Sequence, residues 1–347
     1  MRFLGRKGFS VSSVLSRNNL ALQTAVLVSR NLEGFPFPNS ANPIWQEDVK
    51  TQSKLFFQKR LLRKGFQLIE LGGETETVAQ NKNIPRFVLS RFLSEPAGKL
   101  LIFKNNWGIL VNHQDHFKIF GEGRSLGLMQ LWSGVKKIDN WLEQEFTYAF
   151  DQRFGYLTAS PFYTGTGMVV LIRLHLPAIS LLYGVEQVSQ WLKEKEEFLL
   201  TGVNGEREII GHVFELSNRY TLGVSESQTL QTMKKMVTYI VEWEKQVRQS
   251  LVQSPLRQNG LLEKIAQMNE EFSHDFELDL RKKDFFNFLS LWILAYQEGI
   301  FSGKKGFDKL KLKTIVDWSK IDSSLRKEYV GLEDLWEEWL GRIVSDV

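Results

Sequence analysis

Apolar residues recur along the chain with two periods, and the switches between them outline a fold. Gln46 to Gly65 carries Leu55, Phe56, Leu61 and Leu62 on one broad face, with lysine and arginine opposite. That spacing predicts an amphipathic helix. Ile84 to Leu93 predicts another short one. Near Lys99 the pattern shortens into runs. Leu100–Phe103 and Trp107–Val111 flank Lys104-Asn105-Asn106, a hairpin signal with Asn-Asn as the turn. Phe117–Phe120 continues as strand. Leu126 to Phe150 predicts a long helix through Leu128, Leu131, Trp132, Val135, Ile138, Leu142, Phe146 and Ala149. Strands return at 169–174 and around His212–Leu216. Ser225 to Gln249 is helical through Leu230, Met233, Met236, Val237, Ile240, Val241 and Val247. Past Ser254-Pro255 the pattern stays helical, over Leu261–Phe272, Asp284–Glu298 and Leu332–Ile343. Val14 to Arg30 has irregular spacing, and Pro36, Pro38 and Pro43 mark a loop after it.

These elements predict an α+β protein, with helices packed on a mostly antiparallel sheet. The expected divisions are a small N-terminal region (1–95), a sheet-bearing domain (96–254) and a helical C-terminal module (255–347). With 347 residues, 43% of them apolar, the chain can bury a sizeable core. Its net charge of +4 suits an anionic ligand or an acidic partner surface. It is not the concentrated basic stripe of a nucleic-acid binder, so no nucleic acid is expected. The absence of cysteine excludes disulfides, thiolate zinc sites and a thiol nucleophile. The longest apolar stretch, Met168 to Tyr183, is broken by Arg173, His175 and Pro177. It is too interrupted to cross a bilayer, and the basic N-terminus lacks the apolar core of a signal peptide. A cytoplasmic location without membrane contact is the expectation.

The candidate chemistry lies in Phe150 to Pro177, FDQRFGYLTASPFYTGTGMVVLIRLHLP. This stretch resembles the central signature of the ATP:guanidino phosphotransferases, and most of all the bacterial protein-arginine kinases. Gly155-Tyr156-Leu157-Thr158, Gly165-Thr166-Gly167-Met168 and Leu174-His175-Leu176-Pro177 stand as in that family. Ser160 takes the position of its reactive cysteine, and Val169 that of a phosphate-binding arginine. Read without the resemblance, Gly165-Thr166-Gly167 is a turn or a phosphate-cradling nest.

Phosphoryl transfer to a guanidinium needs cations that hold the phosphates, magnesium, and a carboxylate that orients the acceptor and takes its proton. The resemblance implies where each should lie. The family's SSRVRLARN-like strand aligns with Thr24 to Leu32, followed by Gly34-Phe35-Pro36-Phe37-Pro38. Arg30-Asn31-Leu32 is kept, while the two phosphate arginines become Ala25 and Leu27, leaving a plain buried strand. Ser90-Arg91-Phe92-Leu93-Ser94 is similar to an ER-x-HLIS segment, with Phe92 at the histidine. The NEEDH-x-R motif reads Asn112-His113-Gln114-Asp115-His116-Phe117-Lys118. Its acid–base glutamate is Gln114, which cannot take a proton, and its arginine is Lys118, which keeps charge without the bidentate fork. His113 and His116 are read as structural or turn histidines rather than metal ligands. The RGxxGE loop becomes Thr201-Gly202-Val203-Asn204-Gly205-Glu206, keeping Glu206 and replacing the arginine by Thr201. Phe214 to Glu226 resembles YQISNQRTLGLSE and is architectural, with Ser225 capping the next helix.

Arg173 lies four residues after Val169, on the same strand face. It partly replaces the lost arginine or is a solvent-exposed charge, the plainer reading. The resemblance therefore implies a guanidino-kinase fold with a degenerate site: a pseudokinase retained for regulatory or scaffold binding in bacterial protein quality control. The alternative is an active ATP-dependent protein-arginine phosphotransferase rebuilt around Lys118, Arg173, Glu206 and Arg207. A third reading is a nucleotide or phosphoarginine sensor. Magnesium-ATP is a cofactor only if the site works, and no metal site is assigned. Partners implied by the resemblance are a zinc-binding activator, a Clp-type protease or its regulators, and a second copy of the chain through C-terminal helices. Leu332 to Leu340 is a candidate for that interface or for a core-facing helix.

Overall fold

In this computed structural model the described residues are 20–71, 85, 99–124, 126–195, 197–203, 208–274 and 282–301. The helices predicted over 84–93 and 332–343, the Ser90–Ser94 stretch, and Glu206 with Arg207 lie outside them.

Among the described residues the sheet has eight strands: β1 (Ala21–Arg30), β2 (Gln67–Leu71), β3 (Lys99–Lys104), β4 (Trp107–Val111), β5 (Phe117–Gly123), β8 (Met168–His175), β9 (Phe198–Thr201) and β10 (Val213–Asn218). A separate two-stranded hairpin joins β6 (Phe150–Asp151) to β7 (Gly155–Tyr156). The order is β2-β3-β4-β5-β1-β8-β10-β9, and every pairing is antiparallel. The β3–β4 hairpin turns at Asn105-Asn106, as expected, with Asn105 at φ 51°. Asparagine tolerates this left-handed conformation better than other side chains. The first strand lies at the centre of the sheet, between β5 and β8. Its irregular apolar spacing follows from burial on both faces.

Seven helices lie among the described residues: α1 (Pro43–Phe56), α2 (Leu128–Glu143), α3 (Pro177–Tyr183), α4 (Val185–Lys193), α5 (Glu226–Val252), α6 (Pro255–His274) and α7 (Lys282–Gln297). Asn42 caps α1 by accepting from the amides of Ile44 and Trp45, with Pro43 in the first turn. The predicted helix through Gly65 is not continuous. After Phe56 it passes into a π turn and a 3-10 turn, and ends where Gly65 takes φ 80°. Ser225 and Gln228 form a reciprocal capping box at the start of α5.

The helix predicted over 126–150 stops at Glu143. Its last apolar positions serve other contacts. Phe146 packs against Phe56 and Phe117, with ring centroids 5.7 and 5.1 Å apart, and Tyr148 bridges Leu32.

Period two splits the side chains of β1 and β8 between two faces. Val26, Val28, Met168, Val170, Ile172 and Leu174 join the main core with the helices. Ala25, Leu27, Val169 and Leu171 join a smaller, separate cluster on the other face. The last helix, α7, is anchored to the main core by Phe288, Leu289, Trp292 and Ile293. Ser290 Oγ lies 2.7 Å from His175 Nε2 and 2.8 Å from His212 Nδ1, a buried polar clasp between α7 and the ends of the sheet strands.

Candidate active site on the second face of the sheet

Strand register places the family-matched positions next to one another. Leu27 stands opposite Phe120 on one side and Val169 on the other. Ala25 lies between Glu122 and Leu171, and Ser29 opposite Lys118. Phe120 and Leu110 extend the row, followed by Leu101 and Phe103. Gly108, paired with Phe120, has no side chain because the phenyl ring occupies that space. The result is a continuous apolar surface over β1, β3, β4, β5 and β8 in which Ala25 is 0% exposed and Leu27 3%.

Charged groups mark two ends of this surface. Lys118 is buried, with its ammonium 5.9 Å from the centre of the Tyr163 ring. Arg173 is fully buried, not the exposed charge expected from sequence. Its Nε donates to Glu215 Oε2 at 3.2 Å and its Nη1 to Gln23 Oε1 at 2.9 Å. Both partners are its register neighbours across the sheet. Thr201 lies one strand further, opposite Glu215. The guanidinium is thus held by carboxylate and amide, and its charge is matched within the protein.

The remaining two positions lie on two loops that are tied together through their neighbours. Gln114 is exposed on the turn between β4 and β5, and Ser160 precedes the short 3-10 turn Pro161–Tyr163. Their neighbours join the two loops. Asp115 Oδ1 accepts from the Ala159 amide at 2.8 Å and from Asn31 Nδ2 at 2.7 Å. Asn31 Oδ1 accepts from the His116 amide, and His116 Nδ1 accepts from the Leu32 amide. His116 is therefore a structural histidine, as the sequence reading had it. The family-matched Arg30-Asn31 pair is structural too. Arg30 donates to both oxygens of Asp139, at 3.1 and 2.8 Å, and to the Thr166 and Ser29 carbonyls. Its guanidinium lies 3.6 Å from the centre of the Tyr156 ring.

Gly165 and Gly167 have φ +119° and +65°. A Cβ on Gly165 would lie 2.2 Å from the Thr221 carbonyl oxygen. This turn holds the loop against β10's exit, where Thr221 Oγ1 donates to the Phe162 and Thr164 carbonyls. Gly165→Ala is expected to lower stability by more than about 2 kcal/mol, since both clash and backbone strain apply. A denaturant midpoint unchanged by the substitution would contradict this packing.

The structure brings Ala25, Leu27, Lys118, Val169 and Arg173 onto one face, with Thr201 at its margin and Gln114 and Ser160 at its end. Sequence reasoning missed the groups that hold this arrangement: Asp115, Asp139, Glu215 and Asn218. Asn218 accepts from the Val170 amide and donates to the Met168 and Tyr220 carbonyls, locking β8 to the loop after β10. Its signal was the nearly intact Ser217-Asn218-Arg219-Tyr220-Thr221-Leu222-Gly223 run. Among the described residues no cluster of three metal-ligating side chains is present, and no helix is long and apolar enough to cross a membrane.

Four histidines share one electrostatic property. Burial lowers the pKa of His113 to about 3, aided by Lys118 and Lys99. Burial also lowers His116 to about 4, against the Pro36 hydrogen bond and Asp115. It lowers His212 to about 3 and holds His175 well below its ordinary value. Each is neutral when folded but takes a proton near pH 6.5 when unfolded. Their contribution to stability is therefore complete above 6.5 and is lost as pH falls toward 3–4. Unfolding free energy measured in urea should be flat from pH 8 to 7 and decline steadily from 6.5 to 4. A flat profile over that lower range would contradict the burial of these rings.

The mostly antiparallel sheet packed with helices fits the guanidino-kinase fold that the resemblance implied, and comparisons with known proteins agree. The sequence pattern of the ATP:guanido phosphotransferase C-terminal catalytic domain matches residues 48–247. The chain belongs to that family. It is 29% identical to a protein-arginine kinase of Bacillus cereus over 248 residues, covering 68% of each chain, and equally similar to one of Bacillus anthracis. Among solved structures it resembles lombricine kinase, with a TM-score of 0.55 and 17% identity over 68% of this chain and 70% of that one. It also resembles the substrate-free duplicated taurocyamine kinase of Schistosoma mansoni, with a TM-score of 0.54 and 20% identity over 68% of this chain. It spans 35% of that duplicated chain.

Proposed function

We propose that this chain is a protein-arginine-kinase-like protein that has lost phosphoryl transfer and is kept as a binding protein in bacterial protein quality control. The observation that carries this reading is the apolar packing at the arginine positions. Ala25, Leu27 and Val169 pack with Leu171 and Phe120 instead of presenting guanidinium groups. Removing one charged donor from a transfer site costs about 3 kcal/mol or more of transition-state stabilisation. Several losses together, with Gln114 in place of a proton acceptor, remove most of the rate enhancement even though the terms do not add. Arg173 does not replace them, because Glu215 and Gln23 hold its guanidinium.

One observation favours the alternative of an active enzyme with a rebuilt site: Lys118 keeps a cation on the same face, close to Tyr163. The family resemblance supplies the partners on the preferred reading, namely a zinc-binding activator, a Clp-type protease or its regulators, and a second copy of the chain.

The test is transfer itself. Purified protein is incubated with magnesium, γ-labelled ATP and an arginine-rich acceptor protein, beside an active protein-arginine kinase as control. The expected result is no acid-labile label on protein while the control works. Label above background that disappears in Lys118→Ala would establish the rebuilt site instead.

A further inference from the structure

Away from the sheet face, the outer stripe of α2 combines an indole ring with several cations. Ser133, Lys136, Lys137, Asn140, Trp141 and Gln144 follow helical spacing and line a surface groove of about 360 Å³. The stripe runs about 16 Å, or three turns. Trp141 carries two ammonium groups over its ring, Lys64 at 4.9 Å and Lys137 at 5.4 Å. At the other edge of the exposed face, about two and a half turns before Trp141, Lys136 lies 6.0 Å from the ring of Trp132, which does not line the groove. Lys104 donates to the Lys64 carbonyl and brings another ammonium to the same edge.

The neighbouring cations differ in one respect. Lys59 and Arg60 are paired with Glu145. Lys64, Lys136 and Lys137 form no ion pair among the described residues. They are exposed, while the opposite side of α2 is sealed into the core by Leu131, Val135, Ile138 and Leu142. Cations resting on rings are partly ordered before a ligand arrives, which lowers the entropic cost of binding.

We infer that this face of α2 is a docking site for an acidic segment of another protein. Charge complementarity selects the occupant: the ammonium groups meet carboxylates, while Asn140, Gln144 and Ser133 bond peptide groups and the Trp141 indole covers an apolar side chain. A nucleic acid fits less well. The cations cluster around one three-turn stripe instead of forming a track for successive phosphates, and the chain's net charge is only +4. The inference is independent of whether the sheet face transfers phosphate.

Fluorescence anisotropy of a fluorescein-labelled octaglutamate peptide, titrated with the full chain, tests it. Binding should saturate, weaken with salt, and fall about tenfold or more in Lys136→Glu/Lys137→Glu. Trp141→Ala should weaken it as well. Lys234→Glu/Lys235→Glu, an equal charge change at exposed positions of α5, should leave it unchanged. Unaltered far-ultraviolet circular dichroism would show that each variant is folded. Equal loss in both double variants would reduce the effect to net charge and overturn the site. So would absence of binding, or tighter binding of an octathymidylate oligonucleotide than of the peptide.

Discussion

Leu27→Arg is expected to destabilise the protein by more than about 4 kcal/mol, although it restores the residue type that the family carries at this position. Leu27 is enclosed by Phe120 and Val169 on adjacent strands, and it is 3% exposed. A guanidinium there would lose its water and pack against the hydrocarbon of Phe120 and Val169. Of its two diagonal neighbours on β5, Lys118 would repel it and Glu122 would attract it, so the charges largely offset and the desolvation cost remains. Where a face is built to hold a triphosphate, arginine is solvated or pairs with phosphate, and its cost is small. The sign and size of this one change therefore distinguish a filled face from an open cleft. Urea midpoints of the parent and variant give the answer. A variant that keeps its stability and gains nucleotide affinity would mean that the cleft is still open.

Asp139→Ala is the second large effect, at about 3–5 kcal/mol, the usual cost of removing one partner of a buried ion pair. Arg30 is 1% exposed and spends both Nε and Nη2 on Asp139. Its Nη1 holds the Ser29 and Thr166 carbonyls, and its ring contact is Tyr156. Tyr148 also reaches Asp139 Oδ1, at 3.2 Å. Without the carboxylate the charge of Arg30 stays buried and unmatched, and α2, β1 and the loop before β8 lose their common tie. Asp139→Asn should cost less, because one oxygen remains to accept. If the alanine variant unfolded at the parent's midpoint, the pair would not hold these elements together.

The fold was legible where local chemistry decides it. The Asn105-Asn106 turn, the Ser225 cap and the GTG turn each have a residue whose backbone preference matches the observed geometry. The positions aligned with the family's phosphate arginines could be placed because intact motifs flanked them and fixed the register. Long-range pairing was not legible. Arg173 looked like an exposed charge because its carboxylate partner lies 42 residues away, on β10. Arg30 looked like a flanking remnant, yet strand parity places it with Val26 and Val28, facing the helices, where Asp139 waits 109 residues on. The helix through Phe150 was overdrawn because Phe146 and Ala149 continue the apolar period while lying in a loop, where Phe146 packs on Phe56 and the Ala149 amide donates to the Asn31 carbonyl. Periodicity records that a side chain is buried, and tertiary contacts decide by which backbone it gets there.

The central claim is that the second sheet face is packed by apolar side chains and no longer holds a nucleotide. Calorimetric titration of the intact protein with magnesium-ATP tests it most directly, with an active protein-arginine kinase as reference. The account predicts no saturable heat up to about millimolar ATP, the weak end of ordinary enzyme affinities. A saturable isotherm with micromolar affinity, lost in Lys118→Ala, would contradict it and return the face to nucleotide chemistry.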